Sequence, residues 1–482
     1  MTLLVIDLGS SSVRTLLFDD GARLIEGAIC SRKHDFETDH DGKAEAQADH
    51  LRALTEACLD DILTHPAAES VRAVGLASFA GNWLGVDAEG RACTPVLTYA
   101  DTRGRSAITD LTRRLGGRLD AYHQATGCFI HPAYFPAQYA FMKEADSQSL
   151  RGMQRISDVG GYFYRQWFGR ESPISYSLAS WSGLLGTEST RWCFDFIRQL
   201  LGDDLLERLP DLGDFDACQV GLTDAYAGRW PQLRAVPFFL ALGDGAVANL
   251  GSGAVDARHI ALTIGTTSAL RVVTRRATLP DGLWRYLVCQ GMPLVGGATS
   301  EGGNVFQWAV EELGLDTASL NAHLSEARPD QHRLTVLPLI AGERSPGWQS
   351  DASGTIHGIR RSTSKLDIMQ AQLEAVAIRL SMIFDQLKSE GSTVIAGGGA
   401  LGSSPAWAQM IADAFNAPIQ LLAEAEITAR GVALLLRNRL DGTPLDADPP
   451  RISRVLRPNT EHVPIYETAR ARQIDLYQRL YG

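Results

Sequence analysis

Two short turns rich in hydroxyl groups could bind phosphate in this sequence of 482 residues. Glycine lets the backbone approach an anion closely, and successive N–H groups and hydroxyls in a tight turn form a concave anion site. Either turn alone also fits an ordinary hairpin whose hydroxyls bond their own backbone. Because the motif occurs twice, we expect two phosphate-binding turns on two similar domains. The residues are Gly9, Ser10, Ser11 and Ser12 in the first turn, and Gly265, Thr266, Thr267 and Ser268 in the second.

Two aspartates accompany these turns. Asp7 precedes the first turn, inside an apolar strand, where a carboxylate could hold magnesium through water molecules. Asp244 stands between two glycines at the end of the apolar run AVPFFLAL, a position that suits a catalytic base. Asp244 by itself also fits a turn aspartate that bonds local N–H groups. Together the two acids predict a site where a metal-bound phosphate meets a base, with Asp7 and Asp244 as candidate metal-side acids.

A glycine-rich segment, GGGALG, occupies residues 397–402 after a predicted strand and before a predicted helix. It matches the GxGxxG pattern of dinucleotide-binding proteins, and Glu424 lies near the position of a ribose-binding acid. Too little sequence follows to build two mononucleotide-binding halves. We therefore favour a strand-to-helix turn that closes on adenine and ribose. Close helix–strand packing and an NAD-dependent oxidoreductase are the alternatives.

The sequence lacks the motifs of several function classes. The sequence has no GxxxxGK[ST] and no HRD or DFG set, which excludes P-loop enzymes and protein kinases. Its seven cysteines form no CxxC pair and its eleven histidines no HExxH, which argues against a zinc site. A net charge of -11 argues against nucleic acid as a partner. Because there is no signal peptide and no run of eighteen apolar residues, we expect a cytoplasmic protein without a membrane partner.

An α/β fold of more than one domain is needed to position these residues, because the chain is too long for one core. Strand, strand, strand, helix and strand open the chain, with a hairpin at Asp20-Gly21. A strand–turn–strand unit at 259–274 repeats the opening. We predict two domains, 1–242 and 243–482, with a hinge near 241–258. Further elements are expected at 48–63 (helix), 393–402 (strand), and 363–390, 404–416, 426–438 and 464–480 (helices).

Taken together, these motifs resemble the FGGY carbohydrate kinases of the actin-like ATPase superfamily. Asp7 to Ser12 resembles the family's first phosphate motif, Thr263 to Ser268 the second, and Ala396 to Ala400 the adenosine motif. Gly354 to Glu374 resembles the C-terminal signature, apart from Gln372. The resemblance covers nearly the whole chain. It implies two ribonuclease-H-like domains around a central cleft, and transfer of the γ-phosphoryl group of MgATP to a sugar hydroxyl.

The resemblance also implies roles for individual residues. It makes Asp244 the general base and Asp7 the acid on the magnesium side, and it suggests a homodimer. The nucleotide positions are Ser10, Ser11, Ser12, Gly265, Thr266, Thr267, Gly303, Gln307, Gly398, Gly399 and Ser403. The acceptor positions are Asn82, Tyr99, Asp101, Tyr134 and Asp244.

The acceptor itself stays open. Segments 99–103, 243–253 and 342–348 look most like the gluconokinase branch of the family. Three departures lie on the acceptor side: Phe79-Ala80-Gly81 replaces a Gln-Met-His type of segment, Tyr99 replaces Trp, and Gln138 to Phe141 replaces a Lys-x-x-Trp segment. A lost His and a lost Lys leave fewer hydrogen bonds or charges for a sugar-acid carboxylate. We expect a kinase for a sugar, polyol or sugar acid, with gluconate, xylulose, ribulose and small polyols as candidates. A non-enzymatic ATPase scaffold is the alternative from another class.

Overall fold

The computed structural model describes residues 2–349, 351–398, 401 and 404–482. Two compact units divide the chain, and each contains its own central sheet. Relative to the predicted division at 242/243, residues 243–251, 284–294 and 426–449 belong to the first unit. The first unit comprises the chain up to Gly251, Trp284–Leu294 and Glu426–Pro449, and the second comprises Ser252–Leu283, Val295–Ala425 and Pro450–Gly482.

The longest strands all belong to the two central sheets. In chain order they are β1 (Thr2–Leu8), β2 (Ser12–Phe18), β3 (Leu24–Lys33), β4 (Glu37–Thr38), β5 (Ala44–Ala46), β6 (Val71–Ser78), β7 (Leu84–Val86), β8 (Val96–Leu97), β9 (Arg155–Ser157), β10 (Ile174–Ser175), β11 (Leu185–Gly186), β12 (Arg191–Trp192), β13 (Leu212–Gly213), β14 (Cys218–Gln219), β15 (Phe238–Phe239), β16 (Leu242–Gly243), β17 (His259–Ile264), β18 (Ser268–Val273), β19 (Trp284–Cys289), β20 (Met292–Thr299), β21 (Thr335–Leu337), β22 (Thr355–His357), β23 (Thr393–Gly397), β24 (Ile419–Leu422) and β25 (Ile452–Leu456).

The helices pack on both central sheets. In chain order they are α1 (Ala48–Ile62), α2 (Ile108–Leu115), α3 (Leu119–Thr126), α4 (Phe135–Ala145), α5 (Ser147–Gly152), α6 (Val159–Phe168), α7 (Tyr176–Ser180), α8 (Phe194–Leu201), α9 (Asp224–Arg229), α10 (Asp244–Gly251), α11 (Gly303–Leu313), α12 (Thr317–Glu326), α13 (Lys365–Leu387), α14 (Pro405–Phe415), α15 (Ile427–Asp441) and α16 (Val463–Tyr481). No helix among the described residues is both long enough and apolar enough to cross a membrane.

The sheet of the first unit brings three segments that carry predicted site residues, or lie next to them, to one edge. Strand β1 is buried along its whole length and lies between antiparallel β2 and parallel β6. Strand β16 also runs parallel to β6. Because parallel strands end at the same edge of a sheet, the loops after β1, β6 and β16 share that edge. These three loops carry Gly9, Phe79 and Asp244.

The second unit repeats this arrangement. Strand β17 pairs with antiparallel β18 and with parallel β23, as β1 pairs with β2 and β6. Strand β24 continues the sheet in parallel with β23, and β25 closes that side as an antiparallel strand. The predicted duplication of a strand–turn–strand unit is therefore present in the fold, and the α/β class is confirmed.

Two glycines let α10 and α15 pack unusually closely inside the first unit. A Cβ on Gly251 would lie 1.7 Å from the carbonyl oxygen of Ile427, and one on Gly431 would lie 1.8 Å from that of Val247. Any larger side chain would force the helices apart. This packing places the start of α10 and the residue before α15, Glu426, in the same unit, although they are far apart in sequence.

Candidate functional site

Hydrogen bonds to the carbonyl groups of the first hydroxyl turn hold it in place. The Gly9 N–H donates to the Ser12 carbonyl at 3.0 Å, which closes the turn. From the end of β3, the His34 N–H donates to the Ser11 carbonyl at 3.1 Å, and His34 Nε2 donates to the Gly9 carbonyl at 2.9 Å. Ser10 and Ser11 are exposed and Ser12 is half-buried. The backbone is therefore anchored from behind, while the two exposed serines remain at the surface.

Asp7 lies directly opposite Arg14 in the β1–β2 ladder. Arg14 Nη2 donates to Asp7 Oδ2 at 2.6 Å, and its Nη1 donates to Glu426 Oε2 at 2.5 Å. The Asp7 side chain is almost fully buried, and this burial raises its pKa to about 6. Arg14 opposes that rise, whereas the negative charges of Asp244 and Glu426 add to it. Asp7 is thus a carboxylate whose charge depends on its neighbours.

Arg14 and Glu426 were not among the predicted site residues. The position of Arg14 could have been inferred, because an antiparallel hairpin places it across from Asp7. The position of Glu426 could not, because it depends on how α15 packs against α10.

Asp244 is the first residue of α10 and follows β16 directly. Its Oδ1 accepts hydrogen bonds from the Gly245 N–H at 2.7 Å and from the Ala80 N–H at 3.1 Å. Ala80 belongs to the segment that departs from the family on the acceptor side. Because the contact uses the backbone of Ala80, that departure leaves it intact. One oxygen of the predicted base is therefore fixed in place by two N–H donors.

Asn82 stabilises the loop that follows β6. Its Nδ2 donates to the Phe79 carbonyl at 2.5 Å and to Ser78 Oγ at 2.9 Å, and its Oδ1 accepts from the Val159 N–H at 2.9 Å. These bonds orient the loop that carries Ala80. A contact between Asn82 and the acceptor remains a prediction.

The other acceptor-side predictions occupy two different environments. Asp101 is 0% exposed, and it accepts hydrogen bonds from Arg103 Nε at 3.0 Å and from the Ala44 N–H at 3.1 Å. Asp101 therefore forms a structural ion pair with Arg103. Tyr134 is buried, and its hydroxyl lies 2.7 Å from that of Tyr286. Tyr99, two residues before Asp101, is half-buried.

The departure at Gln138 has a structural explanation. Gln138 is buried, its Nε2 donates to the Thr98 carbonyl at 2.7 Å, and its Oε1 accepts from Trp83 Nε1 at 2.9 Å. A lysine here would leave the Trp83 N–H without this acceptor. Gln138 therefore ties α4 to the strand before Tyr99.

The second hydroxyl turn is held by the start of α11. The Gly265 N–H donates to the Thr267 carbonyl at 3.0 Å. The Gly303 N–H donates to the Gly265 carbonyl at 2.7 Å, and the Asn304 N–H donates to the Thr266 carbonyl at 3.1 Å. Gly265 and Thr266 are exposed, Thr267 is half-buried and Ser268 is buried, so one hydroxyl residue is exposed here against two in the first turn.

The remaining nucleotide predictions fall near this second turn or outside the described residues. Gln307 is exposed one helical turn after Gly303, and its Nε2 donates to Glu311 Oε1 at 2.8 Å. Gly398 has a φ of +115°, and a Cβ there would lie 2.2 Å from the Ile264 carbonyl oxygen. This strand end therefore requires glycine next to the second turn. Gly399 and Ser403 lie outside the described residues.

The acids of the first unit suit a magnesium ion that arrives with a nucleotide. Among the described ranges no group of three or more His, Cys, Asp or Glu side chains could hold a metal ion. Asp7 and Asp244 interact unfavourably, since the charge of Asp244 raises the pKa of Asp7. A divalent cation relieves such repulsion, and Mg²⁺ commonly uses one or two carboxylates together with phosphate oxygens and water. The residue types at this site fit that mode of binding.

Comparison with known proteins covers almost the entire chain. Residues 2–251 match the N-terminal domain of the FGGY family of carbohydrate kinases, and residues 260–436 match its C-terminal domain. A gluconokinase from Bacillus subtilis (strain 168) is 25% identical over 491 aligned positions, which cover 97% of this chain and 93% of the relative.

Solved structures with the same fold include sugar kinases with different acceptors. A gluconate kinase from Lactobacillus acidophilus superposes with a TM-score of 0.90 at 21% identity, over 99% of this chain and 98% of that one. A ligand-bound xylulose kinase from the same species gives a TM-score of 0.91 at 21% identity, over 100% and 98%. At this identity the likeness establishes the fold, and the acceptor has to be argued from the site.

Proposed function

This chain belongs to the FGGY family of carbohydrate kinases, which are phosphotransferases with an alcohol group as acceptor, and from that premise we propose its reaction. We propose that it transfers the γ-phosphoryl group of MgATP to a hydroxyl of a sugar, polyol or sugar acid. Asp244 is the general base in this proposal. The observation that carries it is the position of Asp244 at the start of α10, electrostatically coupled to Asp7 beside an exposed hydroxyl turn.

The base would act through its carboxylate. The Gly245 and Ala80 N–H groups hold Asp244 Oδ1, which fixes the orientation of the carboxylate. An acceptor hydroxyl within hydrogen-bond reach would give its proton to Asp244 while its oxygen attacks the γ-phosphorus, and the bond from that phosphorus to the bridging oxygen would break to release ADP. Orientation and charge stabilisation account for most of the catalysis in phosphoryl transfer, so a fixed base is an advantage.

The hydroxyl turns would bind the phosphates. In each turn the carbonyl groups are bonded by neighbouring elements, and exposed residues follow the glycine. Backbone N–H groups and hydroxyls that are preorganised in this way stabilise phosphate charge without rearrangement. Magnesium, held on the side of Asp7 and Asp244, would neutralise charge on the phosphate oxygens.

For the acceptor, we propose a sugar acid, ketose or polyol. A gluconokinase relative and a gluconate kinase structure favour gluconate. Against a carboxylate-bearing acceptor, Gln138 is neutral and bonded to Thr98 and Trp83, and the loop at Phe79-Ala80-Gly81 carries no charge. Xylulose, ribulose and small polyols therefore stay in the proposal.

The acceptor is tested by ADP release in the presence of MgATP and a panel of gluconate, other sugar acids, pentuloses and polyols. We expect one class to stimulate ADP release far above the rate with water alone. If no member of a broad panel did so, the kinase proposal would be wrong for this chain.

The base is tested with Asp244→Asn. We expect phosphoryl transfer to fall by about 100-fold to 10,000-fold, the usual contribution of a general base, while MgATP still binds. Asp224→Asn changes an exposed aspartate in the first turn of α9 and is the matched control. Near-normal turnover of Asp244→Asn would rule out Asp244 as the base.

A further inference from the structure

Glu301 is a buried acid directly behind the second hydroxyl turn. It lies between the end of β20 and the start of α11, and it is 0% exposed. Neither Oε1 nor Oε2 has a hydrogen-bond partner within the part of the chain that the structure describes. Removing an ionised carboxylate from water without a partner is strongly unfavourable. A side chain of this kind needs an explanation beyond packing.

The backbone around Glu301 is continuous with the turn. Thr299 Oγ1 donates to the Glu301 carbonyl at 2.6 Å. A Cβ on Gly302 would lie 2.7 Å from the carbonyl carbon of Thr267, so the two segments are in direct contact. Gly303 then donates its N–H to Gly265 at 2.7 Å. A displacement of Glu301 would therefore be transmitted to the turn.

Two arginines act on Glu301 from other elements. Burial raises the pKa of Glu301 to about 7, and Arg379 on α13, the residue's own backbone N–H and Arg344 in the segment after β21 act against that rise. Arg379 is already paired with Glu343, and its guanidinium carbon lies 5.2 Å from the centroid of the Tyr477 ring. Glu343 also accepts a hydrogen bond from the Tyr477 hydroxyl at 2.6 Å. The arginine with the larger electrostatic effect on Glu301 is thus already paired with another carboxylate.

We propose that Glu301 is a positioning residue whose protonation state controls the second hydroxyl turn. The neutral carboxyl fits the buried site and leaves the turn in the geometry that binds nucleotide. When the carboxyl O–H bond breaks and the proton passes to solvent, the new charge is drawn toward Arg379 in competition with Glu343. That movement shifts the segment Thr299–Gly303 and weakens binding of MgATP. The inference rests on the proposed function, in which this turn binds phosphate.

The test measures the dissociation constant of MgATP by calorimetry between about pH 6 and about pH 8.5, for the wild type and for Glu301→Gln. We expect wild-type binding to weaken by about fivefold across this range, with a midpoint near the pKa of Glu301. Glu301→Gln should bind with the affinity of the wild type at low pH throughout. Because both proteins meet the same nucleotide, titration of ATP itself cancels in the comparison.

A second variant keeps the proposal testable if Glu301→Gln does not fold. Arg344 is half-exposed, and Arg344→Gln removes a charge that favours ionisation of Glu301. The midpoint of the pH profile for MgATP binding should therefore lie at higher pH in Arg344→Gln than in the wild type. An unchanged or lower midpoint, or parallel profiles for wild type and Glu301→Gln, would overturn the inference alone. Absence of MgATP binding at every pH would overturn the proposed function, and the inference with it.

Discussion

The two hydroxyl turns share a backbone plan but differ in charge. In the first unit, the residue two positions before the turn glycine is Asp7, which pairs with Arg14. In the second unit the aligned residue is Thr263, whose Oγ1 accepts from Arg271 Nη2 at 3.0 Å. A hairpin is thus enough to present N–H groups and hydroxyls. The side chain before the glycine decides whether a turn also carries a carboxylate for a cation.

The turns also differ in what holds them from behind. His34, from the strand after the first hairpin, bonds the Gly9 and Ser11 carbonyls. In the second unit, backbone N–H groups at the start of α11 bond the carbonyl groups of the turn. The acid Glu301 lies in the segment that leads to α11. We infer that the first turn is specialised for metal and chemistry, and the second for phosphate binding that responds to protons.

The largest expected effect on kcat comes from replacing the residue two positions before the turn glycine, which is the residue that distinguishes the two turns. Asp7→Asn should lower kcat by about 100-fold or more, because it removes the carboxylate on the metal side. The corresponding change in the second unit, Thr263→Val, should lower kcat by less than about threefold, since it removes one hydrogen bond from Arg271 but no carboxylate. Steady-state ADP release at saturating substrates measures both. Equal losses would mean that the two turns have the same role.

A smaller effect is expected from the exposed hydroxyls that the turns have in common. Ser11→Ala and Thr266→Ala should each weaken MgATP binding by about threefold to tenfold, because a hydroxyl donor to phosphate is lost while backbone N–H groups remain. Calorimetric titration with MgATP measures the change. Ser106→Ala, at an exposed serine of the first unit, is the control. Unchanged affinity in one variant would assign phosphate binding to the other turn alone.

The smallest effect concerns the pH dependence of the first turn. Asp7 has a pKa of about 6 and acts as a carboxylate, so activity should fall as pH decreases through that value. Glu426→Gln removes a negative charge that raises this pKa, so the acidic limb of kcat/KM should move to lower pH by up to about one unit.

The control for this shift is Glu424→Gln, two positions earlier in the chain. Glu424 pairs with Arg451 at 3.1 Å and is not among the charges that act on Asp7. Its pH profile should match that of the wild type. A shift of the limb toward higher pH in Glu426→Gln would contradict the electrostatic assignment.

Local elements were predictable wherever the pattern repeated over several turns or strands. The helix expected at 48–63 is α1, at Ala48–Ile62, and the repeated strand–turn–strand unit is β17 and β18. The hairpin expected at Asp20-Gly21 is present, but Ala22 adopts the positive φ of 52°. The Asp19 carboxylate explains this, since its Oδ1 accepts from the N–H groups of both Gly21 and Arg23.

Acceptor-side predictions were harder, because a residue type does not say which partner it will take. The carboxylate of Asp101 accepts hydrogen bonds from Arg103 and from the Ala44 N–H, and the side-chain amide of Asn82 donates to the carbonyl of Phe79 in its own loop. Such bonds satisfy buried polar groups, and the sequence contains no signal that separates them from ligand contacts.

By itself, the sequence determined the family, the two hydroxyl turns, the acid before the first turn and the acid between two glycines. Each of these depends on neighbouring residues, so a short segment specifies it. Only the tertiary structure decided that Glu426 shares Arg14 with Asp7, that Ala80 orients Asp244, and that the buried Glu301 carboxyl has no hydrogen-bond partner among the described residues. These contacts join segments far apart in the chain, and their energies depend on burial and on competing charges that exist only once the helices and sheets have packed.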